Sequence, residues 1–218
     1  MPQIFHQSAN VLARFLIVSL VILIFTVSAV AVAYYRSSYS TKVGVTIDQP
    51  VPFSHQHHVQ VLGVDCRFCH TSVETSKTAS LPATEICMKC HSQLWTNANL
   101  LAPVRESFEN NEPIHWNRVH KLPDFVFFNH SIHVSKGIGC STCHGRVDRM
   151  PLMAKAESLH MQWCLQCHRN PEIFVRPKDQ VFEMTYPLEP NPEQAGQQLV
   201  ETNQIQTRGL TDCQTCHR

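Results

Sequence analysis

One five-residue pattern, C-x-x-C-H, contains all ten cysteines of the chain. The first cysteines of its five copies are Cys66, Cys87, Cys140, Cys164 and Cys213, and the second are Cys69, Cys90, Cys143, Cys167 and Cys216. The histidines that follow directly are His70, His91, His144, His168 and His217. This spacing is the attachment signature of a c-type haem, in which two thiols bond one porphyrin and the adjacent imidazole binds its iron. The pattern therefore predicts five covalently bound haem c groups.

Other uses of paired cysteines fit the pattern less well. Zinc ribbons and redox dithiols also contain C-x-x-C, but neither requires a histidine after the second cysteine. A disulfide framework predicts irregular spacing rather than five identical pairs.

An apolar segment precedes the motifs. Residues 15–35 have no formal charge and lie between Arg14 and Arg36. At about 1.5 Å per residue, a helix of this length measures roughly 31 Å, enough to cross the hydrocarbon layer of a membrane. The rival interpretation is a signal peptide cleaved at Ala31-Val32-Ala33. Because the apolar run is longer than an ordinary signal core, we expect a single transmembrane helix that is retained.

The basic residues around this segment orient it poorly, because they lie on both sides of it. Covalent haem attachment in bacteria takes place outside the cytoplasmic membrane, and this fact indicates the orientation of the helix better than the flanking charges do. We expect residues 1–14 to form a cytoplasmic head and the haem-bearing part to lie on the periplasmic side of the inner membrane.

The remaining length limits the fold. About 180 residues for five haems are too few for five independent cores. We therefore expect a mostly α and irregular multihaem domain with the haems as its core, no sizeable sheet, and a helix over residues 154–168. The formal net charge of +1 gives no basic surface for nucleic acid.

The segment before the first motif is repeated before the third. Both copies read F-[SN]-H-x-x-H-V and are followed by a glycine, a haem motif and a second haem motif. The repeat predicts two dihaem modules, residues 36–112 and 113–175. Residues 176–218 begin with several prolines. We expect them to form a strap, with a short helix near 193–203, that brings the fifth haem onto the body or toward a partner.

Each predicted iron has a second axial position to fill. Two histidines three residues apart cannot both bind an iron that already has its motif histidine, so if both histidines of an H-x-x-H pair are ligands they must serve two different haems. The candidate distal ligands are therefore His55, His58, His130 and His133. For the fifth iron we choose His120 over His115.

Other donors leave alternatives open. His57 is expected to be solvated or bonded to a propionate, and His6 lies on the far side of the apolar segment. His160 and Met161 precede the fourth motif and Met150 follows the third, so one haem with a methionine ligand remains an alternative. The methionines could instead pack against a porphyrin face.

Several of these segments resemble a known family. The stretch W-x-R-V-H-x-L-P-D-F-V-x-F-x-H-x-x-H from Trp116, followed by C-x-x-C-H-G, closely resembles the pentahaem cytochrome c subunit of bacterial alternative complex III. The segments 66–74 and 159–169 and the uncleaved anchor are similar to the same family. The dihaem modules are similar in turn to class III multihaem cytochromes, in which the first histidine of H-x-x-H serves the local haem and the second a neighbour. Relatives commonly lack a histidine at position 115, so His115 is not carried over as a ligand.

The resemblance implies a role and partners. Such a subunit is an electron wire without its own substrate site, in a complex that oxidises membrane quinol and reduces a periplasmic cytochrome or a terminal oxidase. Its implied partners are an iron–sulfur subunit related to molybdopterin enzymes, multi-pass quinol-binding subunits and a monohaem cytochrome c.

Two enzymatic functions are the alternatives. A multihaem reductase of a small oxidant needs an open axial position on one iron, whereas this chain has enough spare histidine and methionine to close all five. A stand-alone quinol dehydrogenase needs polar groups for the quinol head, and the apolar segment offers only Ser19, Thr26 and Ser28.

Overall fold

The computed structural model describes residues 6, 8–186 and 192–217. The chain divides into two compact units, Met1–Val43 and Gly44–Arg218. Parts of the expected head (1–5 and 7) and of the expected strap (187–191 and 218) lie outside the described residues.

The first unit consists of a long apolar helix and a short one. Helix α1 covers Ser8–Arg36, is 29 residues long and buries none of its side chains. Among the described residues it is the one helix long and apolar enough to cross a membrane. The predicted apolar helix is confirmed. It begins at Ser8, before the uncharged run, so Arg14 lies within it. Helix α2, Ser38–Thr41, ends at Lys42, which has a left-handed φ of 59°.

The second unit is built from short helices joined by irregular segments. The α-helices are α3 Cys66–Cys69, α4 Thr84–His91, α5 Ala102–Asn110, α6 His130–Ser135, α7 Cys140–His144, α8 Met161–Arg169, α9 Pro192–Thr202 and α10 Cys213–Cys216. A π-helix covers Gln56–Val61, and 3₁₀ turns cover Asn99–Leu101, Val147–Arg149, Pro171–Ile173 and Lys178–Gln180. Pairing of β type is seen as isolated antiparallel bridges, such as Thr46–Ala154, Val126–His217 and Ile138–Val175. The mostly α and irregular fold is confirmed.

Helix α8 is shorter than its sequence predicts. It begins at Met161 rather than near residue 154. Leu159 has a left-handed φ of 56°, which an α-helix does not accommodate, and Ala154 pairs with Thr46 in an antiparallel bridge. Tertiary pairing has therefore overridden good helix propensity over the first half of this segment.

The polypeptide itself supplies a small apolar core. Val51, Leu101 and Val104 form its buried cluster. Helices α4 and α5 pack beside it and are joined by a buried 2.6 Å hydrogen bond between the hydroxyls of Thr84 and Ser107. So few buried apolar side chains are unusual for a unit of this size.

The C-terminal segment lies on the body of the second unit. Helix α9 packs on the 3₁₀ turn Pro171–Ile173, so closely that a Cβ at Gly196 would overlap the carbonyl of Glu172. Lys136 Nζ donates to the carbonyl of Asn203 at 2.9 Å, and the buried Asn203 amide donates to the carbonyl of Lys136 at 3.3 Å. These contacts hold the strap against the body just after helix α9. Helix α9 itself, Pro192–Thr202, lies close to the short helix predicted near 193–203.

Candidate haem-binding sites

The five motifs share one local conformation. Each pair of cysteines lies within one helical turn, in α3, α4, α7, α8 or α10. Residues i and i+3 of a helix project from the same face, so both thiols of a motif point to one side. In α3 the carboxylate of Asp65 caps the helix by accepting from the amide of Arg67 and also pairs with its guanidinium at 2.8 Å.

The cysteines are not arranged as a zinc ribbon or a disulfide framework. All ten are free thiols in the structure. Within the described ranges, no three or more His, Cys, Asp or Glu side chains are grouped so that they could hold a metal ion by themselves. The thiols are thus distributed as five separate pairs.

Four of the five motif histidines are oriented by backbone carbonyls. Nδ1 of His70 bonds the carbonyl of Ser80 at 2.8 Å, and Nδ1 of His168 bonds the carbonyl of Leu210 at 2.7 Å. The same bond joins His91 to Leu94 at 3.2 Å and His217 to Phe125 at 3.3 Å. A carbonyl only accepts, so Nδ1 carries the proton and Nε2 keeps its lone pair. This is the arrangement that fixes a metal-binding imidazole.

The repeated H-x-x-H segments have the same geometry in both copies. Nδ1 of His58 bonds the carbonyl of Ser54 at 2.8 Å, and Nδ1 of His133 bonds the carbonyl of Asn129 at 2.7 Å. Phe53 stacks on His58 at 4.3 Å and meets His55 edge-on at 4.9 Å. In the second copy Phe128 stacks on His133 at 4.5 Å and meets His130 edge-on at 4.8 Å. Both copies thus hold the second histidine in the same tautomer, with Nε2 free.

Three of these histidines face motif histidines at nearly equal distances. Ring centroids are 6.3 Å apart for His58 and His91, 6.4 Å for His130 and His144, and 6.3 Å for His133 and His168. A metal–nitrogen bond is about 2 Å, and an imidazole nitrogen lies about 1 Å from its ring centre. Two imidazoles on opposite sides of one metal therefore have centroids about 6 Å apart. The residues present fit an iron held between each pair.

His55 lies next to the first motif. Its Nδ1 is buried without a hydrogen-bond partner. Burial, followed by the charges of His70 and His58, lowers the pKa of His55 to about 4. By the repeat, His55 corresponds to His130, which faces the motif histidine of its own module. Its position beside His70 agrees with that correspondence.

His120 lies beside the third motif. Its Nε2 is buried without a partner, and its ring meets His144 edge-on at 4.4 Å, too close for one metal to lie between them. Among the described rings, the one in contact with His217 is Phe125, at 5.9 Å. The pairing of His120 with the fifth motif therefore stays a prediction.

The remaining candidates have the following surroundings. His57 stacks on Trp95 at 5.8 Å, and His115 is exposed. Met161 is 61% exposed at the start of α8. Met150 is half-buried, and its carbonyl accepts from the amide of Gln56 at 3.1 Å. A methionine ligand at one haem likewise stays a prediction.

The thiols show which motifs are neighbours. Burial and then Cys66 raise the pKa of Cys140 to about 11, which joins the first motif to the third. Burial and then Cys167 raise the pKa of Cys143 to about 12, which joins the third to the fourth. Burial raises the pKa of Cys69 and of Cys164, with smaller contributions from Cys90 of the second motif and Cys216 of the fifth. The order of neighbours is second, first, third, fourth, fifth.

Sequence reasoning missed the groups that orient the histidines. The acceptors for His58 and His133 are the backbone carbonyls of Ser54 and Asn129, and a backbone carbonyl is present at every residue, so the sequence offers no signal for them. Arg176 donates to the hydroxyls of Ser141 and Thr142 inside the third motif. A single arginine in the strap gave no such signal.

Comparison with known proteins agrees with this geometry. The model for cytochrome c7 and related cytochromes c matches residues 126–218. That range contains the second H-x-x-H segment and the last three motifs. The structure and the match together define a multihaem cytochrome c, a class that holds haem c covalently.

A curated relative extends the match. The multihaem cytochrome c subunit of menaquinone reductase from Nitratidesulfovibrio vulgaris (strain Hildenborough) is 36% identical over 159 residues, covering 63% of this chain and 73% of the relative. The chain therefore belongs to the multihaem cytochrome c family that includes this subunit.

Proposed function

We propose that the chain is a membrane-anchored pentahaem cytochrome c that acts as an electron wire in a quinone-linked respiratory complex. The observation that supports this most directly is the 6.3–6.4 Å separation of three imidazole pairs, because it fits iron with both axial positions filled. When bound, haem c supplies reversible one-electron oxidation and reduction. The protein contributes binding, orientation and electrostatics.

Each C-x-x-C-H motif would hold one haem by two thioethers and its histidine. The second ligands follow from the facing rings and the repeat: His55 with His70, His58 with His91, His130 with His144 and His133 with His168. For His217 the candidates remain His120 and a methionine. If the fifth iron is closed in the same way, no iron would have a place to bind a substrate, and the chain would carry electrons without catalysing a reaction of its own.

The order of neighbouring motifs supports a single path through the second unit. Its ends are the second and fifth motifs, and each end has an exposed cysteine, Cys90 and Cys213. The middle motif has two strongly raised thiol pKa values because burial is greatest there. Redox partners would therefore meet the ends, while the middle is shielded from water.

Helix α1 would anchor the chain in the inner membrane, with the second unit on the periplasmic side. Tyr34, at the end of the apolar run, and Tyr39, just beyond it, have ring centroids 5.8 Å apart, and Lys42 Nζ lies 4.7 Å from the Tyr39 ring centroid. Aromatic and cationic side chains of this kind are enriched where a helix leaves the hydrocarbon layer.

In this proposal the complex is of the alternative complex III type. A quinol at a multi-pass partner subunit releases two electrons and two protons. The iron–sulfur subunit and this chain pass the electrons, one at a time, to a monohaem cytochrome c or a terminal oxidase. The curated relative favours a second candidate, since its name describes a menaquinone reductase. In that case electrons would flow through the chain toward the quinone.

Rapid mixing of the detergent-solubilised complex distinguishes the two directions. Menaquinol should reduce the haems within one turnover, which is followed as a change in their absorption bands. An inhibitor of the quinol site should abolish that reduction. Fast reduction by a reduced soluble cytochrome, followed by loss of menaquinone, would instead support the second candidate. If neither mixture reduces the haems, the quinone link is wrong.

Carbon monoxide tests the absence of a substrate site. The reduced full-length protein should bind little, because all axial positions are filled. Rapid and stoichiometric binding to one haem would revive the reductase interpretation.

A further inference from the structure

Arg176 is a buried cation placed against the third motif. It is 8% exposed. Its Nη2 donates to Ser141 Oγ at 3.1 Å and to Thr142 Oγ1 at 3.3 Å, the two side chains between the cysteines of that motif. Its Nη1 donates to the carbonyls of Glu183 at 2.9 Å and Gln180 at 3.4 Å. The guanidinium is thus tied to the haem-attachment turn on one side and to the strap on the other.

These partners satisfy hydrogen bonds and carry no formal charge of their own. They are hydroxyls and backbone carbonyls, and in the described part of the chain the ion pairs are Arg67–Asp65 and Arg146–Asp148. The Tyr186 ring lies 5.0 Å from the guanidinium carbon. Burial lowers the pKa of Arg176, but an arginine stays protonated at any physiological pH. A full positive charge is therefore held beside Cys140 and Cys143 in a region of low dielectric.

Glycine before Cys140 leaves room for the guanidinium. A Cβ at Gly139 would overlap the end of the Arg176 side chain, so a larger residue there would require the guanidinium to move. The amide of Cys140 donates to the carbonyl of Val181 at 3.0 Å, and the amide of Arg176 donates to the carbonyl of Gly137 at 2.8 Å. These two backbone hydrogen bonds hold the strap against the third motif on either side of the Arg176 guanidinium.

We propose that Arg176 raises the reduction potential of the haem held by the third motif. This rests on the proposed function, because it requires a haem at Cys140 and Cys143. Reduction adds one electron and makes the haem more negative by one charge. A nearby positive charge stabilises that reduced form, and weak screening in the interior strengthens the effect. The third motif lies at the middle of the path, next to the first motif of the other module. The higher reduction potential would therefore affect electron transfer between the two dihaem modules.

A redox titration of the full-length holoprotein, followed by optical and EPR spectra, tests the proposal. Arg176→Gln removes the charge and keeps amide donors, so one midpoint potential should shift downward while the others hold. Arg176→Lys keeps the charge and should shift that potential much less. The matched control is Arg149→Gln, an equal change of charge at an exposed arginine, which should leave all potentials near their original values.

Two results would overturn the proposal. One is a set of unchanged midpoint potentials in Arg176→Gln. The other is an equal downward shift in Arg176→Lys and Arg176→Gln, which would mean that lost packing rather than lost charge is responsible. Failure of the proposed function would show differently, as missing haem or missing redox activity in the unaltered protein.

A second variant covers the case in which Arg176→Gln does not accumulate with full haem content. Ser141→Asp places a carboxylate beside the guanidinium and compensates its charge. The same midpoint potential should fall. An unchanged potential in Ser141→Asp would show that the haem does not sense charge at this position, and the proposal would be wrong.

Discussion

His130 and His144 have nearly parallel ring planes, 9° apart, and ring centroids 6.4 Å apart. One turn further along helix α6, His133 faces His168 at 6.3 Å. A single helical turn therefore presents two imidazoles to two different motifs. Two haems held this way would be fixed relative to each other by a rigid element rather than by a loop, which suits electron transfer between them.

Replacing one histidine of the repeated pair should open one iron. In His58→Ala the imidazole that faces His91 is lost, so one haem in five should become five-coordinate. EPR of the oxidised protein should show a high-spin signal of roughly one fifth of the haem, and the reduced protein should bind carbon monoxide at that haem.

The neighbouring histidine provides the control. His57 stacks on Trp95 and is not assigned as a ligand, so His57→Ala should stay fully low-spin. An equal high-spin signal in both variants would mean that His58 acts through general packing, and its assignment as a ligand would be wrong.

Gly196 should be intolerant of the smallest substitution. In the interior of an ordinary helix, Gly→Ala stabilises by up to about 1 kcal/mol. In α9 the added Cβ would overlap the carbonyl of Glu172, and overpacking typically destabilises by about 1–3 kcal/mol. We expect Gly196→Ala to lower the free energy of unfolding measured by urea titration, with earlier proteolysis of the strap.

Gln197 is the matched position for this change, because it is exposed on the same helix. Gln197→Ala should leave the free energy of unfolding within about 0.5 kcal/mol of its original value. A stabilised Gly196→Ala protein would show that α9 does not pack on the turn at Glu172 as described.

The apolar helix should be retained in the mature protein. Alkaline carbonate should leave the protein in the membrane pellet, and amino-terminal sequencing should place the mature start before the apolar run. A mature protein that begins just after Ala33 would identify the segment as a cleaved signal peptide. The remaining chain would then need a partner to stay at the membrane.

The sequence predicted the parts of the fold that depend on fixed spacing. C-x-x-C-H placed each cysteine pair on one helical turn, and the repeated H-x-x-H placed His130 and His133 so that they face two different motifs. The apolar run 15–35 predicted one long helix, and five motifs in the remaining length predicted a mostly helical and irregular domain. These features are local, so a short stretch of residues determines each of them.

What the sequence did not predict depends on contacts between distant segments. The start of α8 is set by the pairing of Ala154 with Thr46, which no local propensity reports. His120 lies beside His144, whereas counting spare histidines named it as the fifth distal ligand without indicating its neighbours. Arg176 lies against the third motif only because the strap folds back over it. Likewise, the order of the motifs follows from tertiary packing and has no signature along the chain.

Peptide mass mapping of the purified full-length protein tests the central claim most directly. Each of the five C-x-x-C-H peptides should carry one covalently bound haem, with both of its cysteines modified. A peptide found with free thiols, a disulfide or zinc in place of the haem would contradict the account and would break the path at that motif.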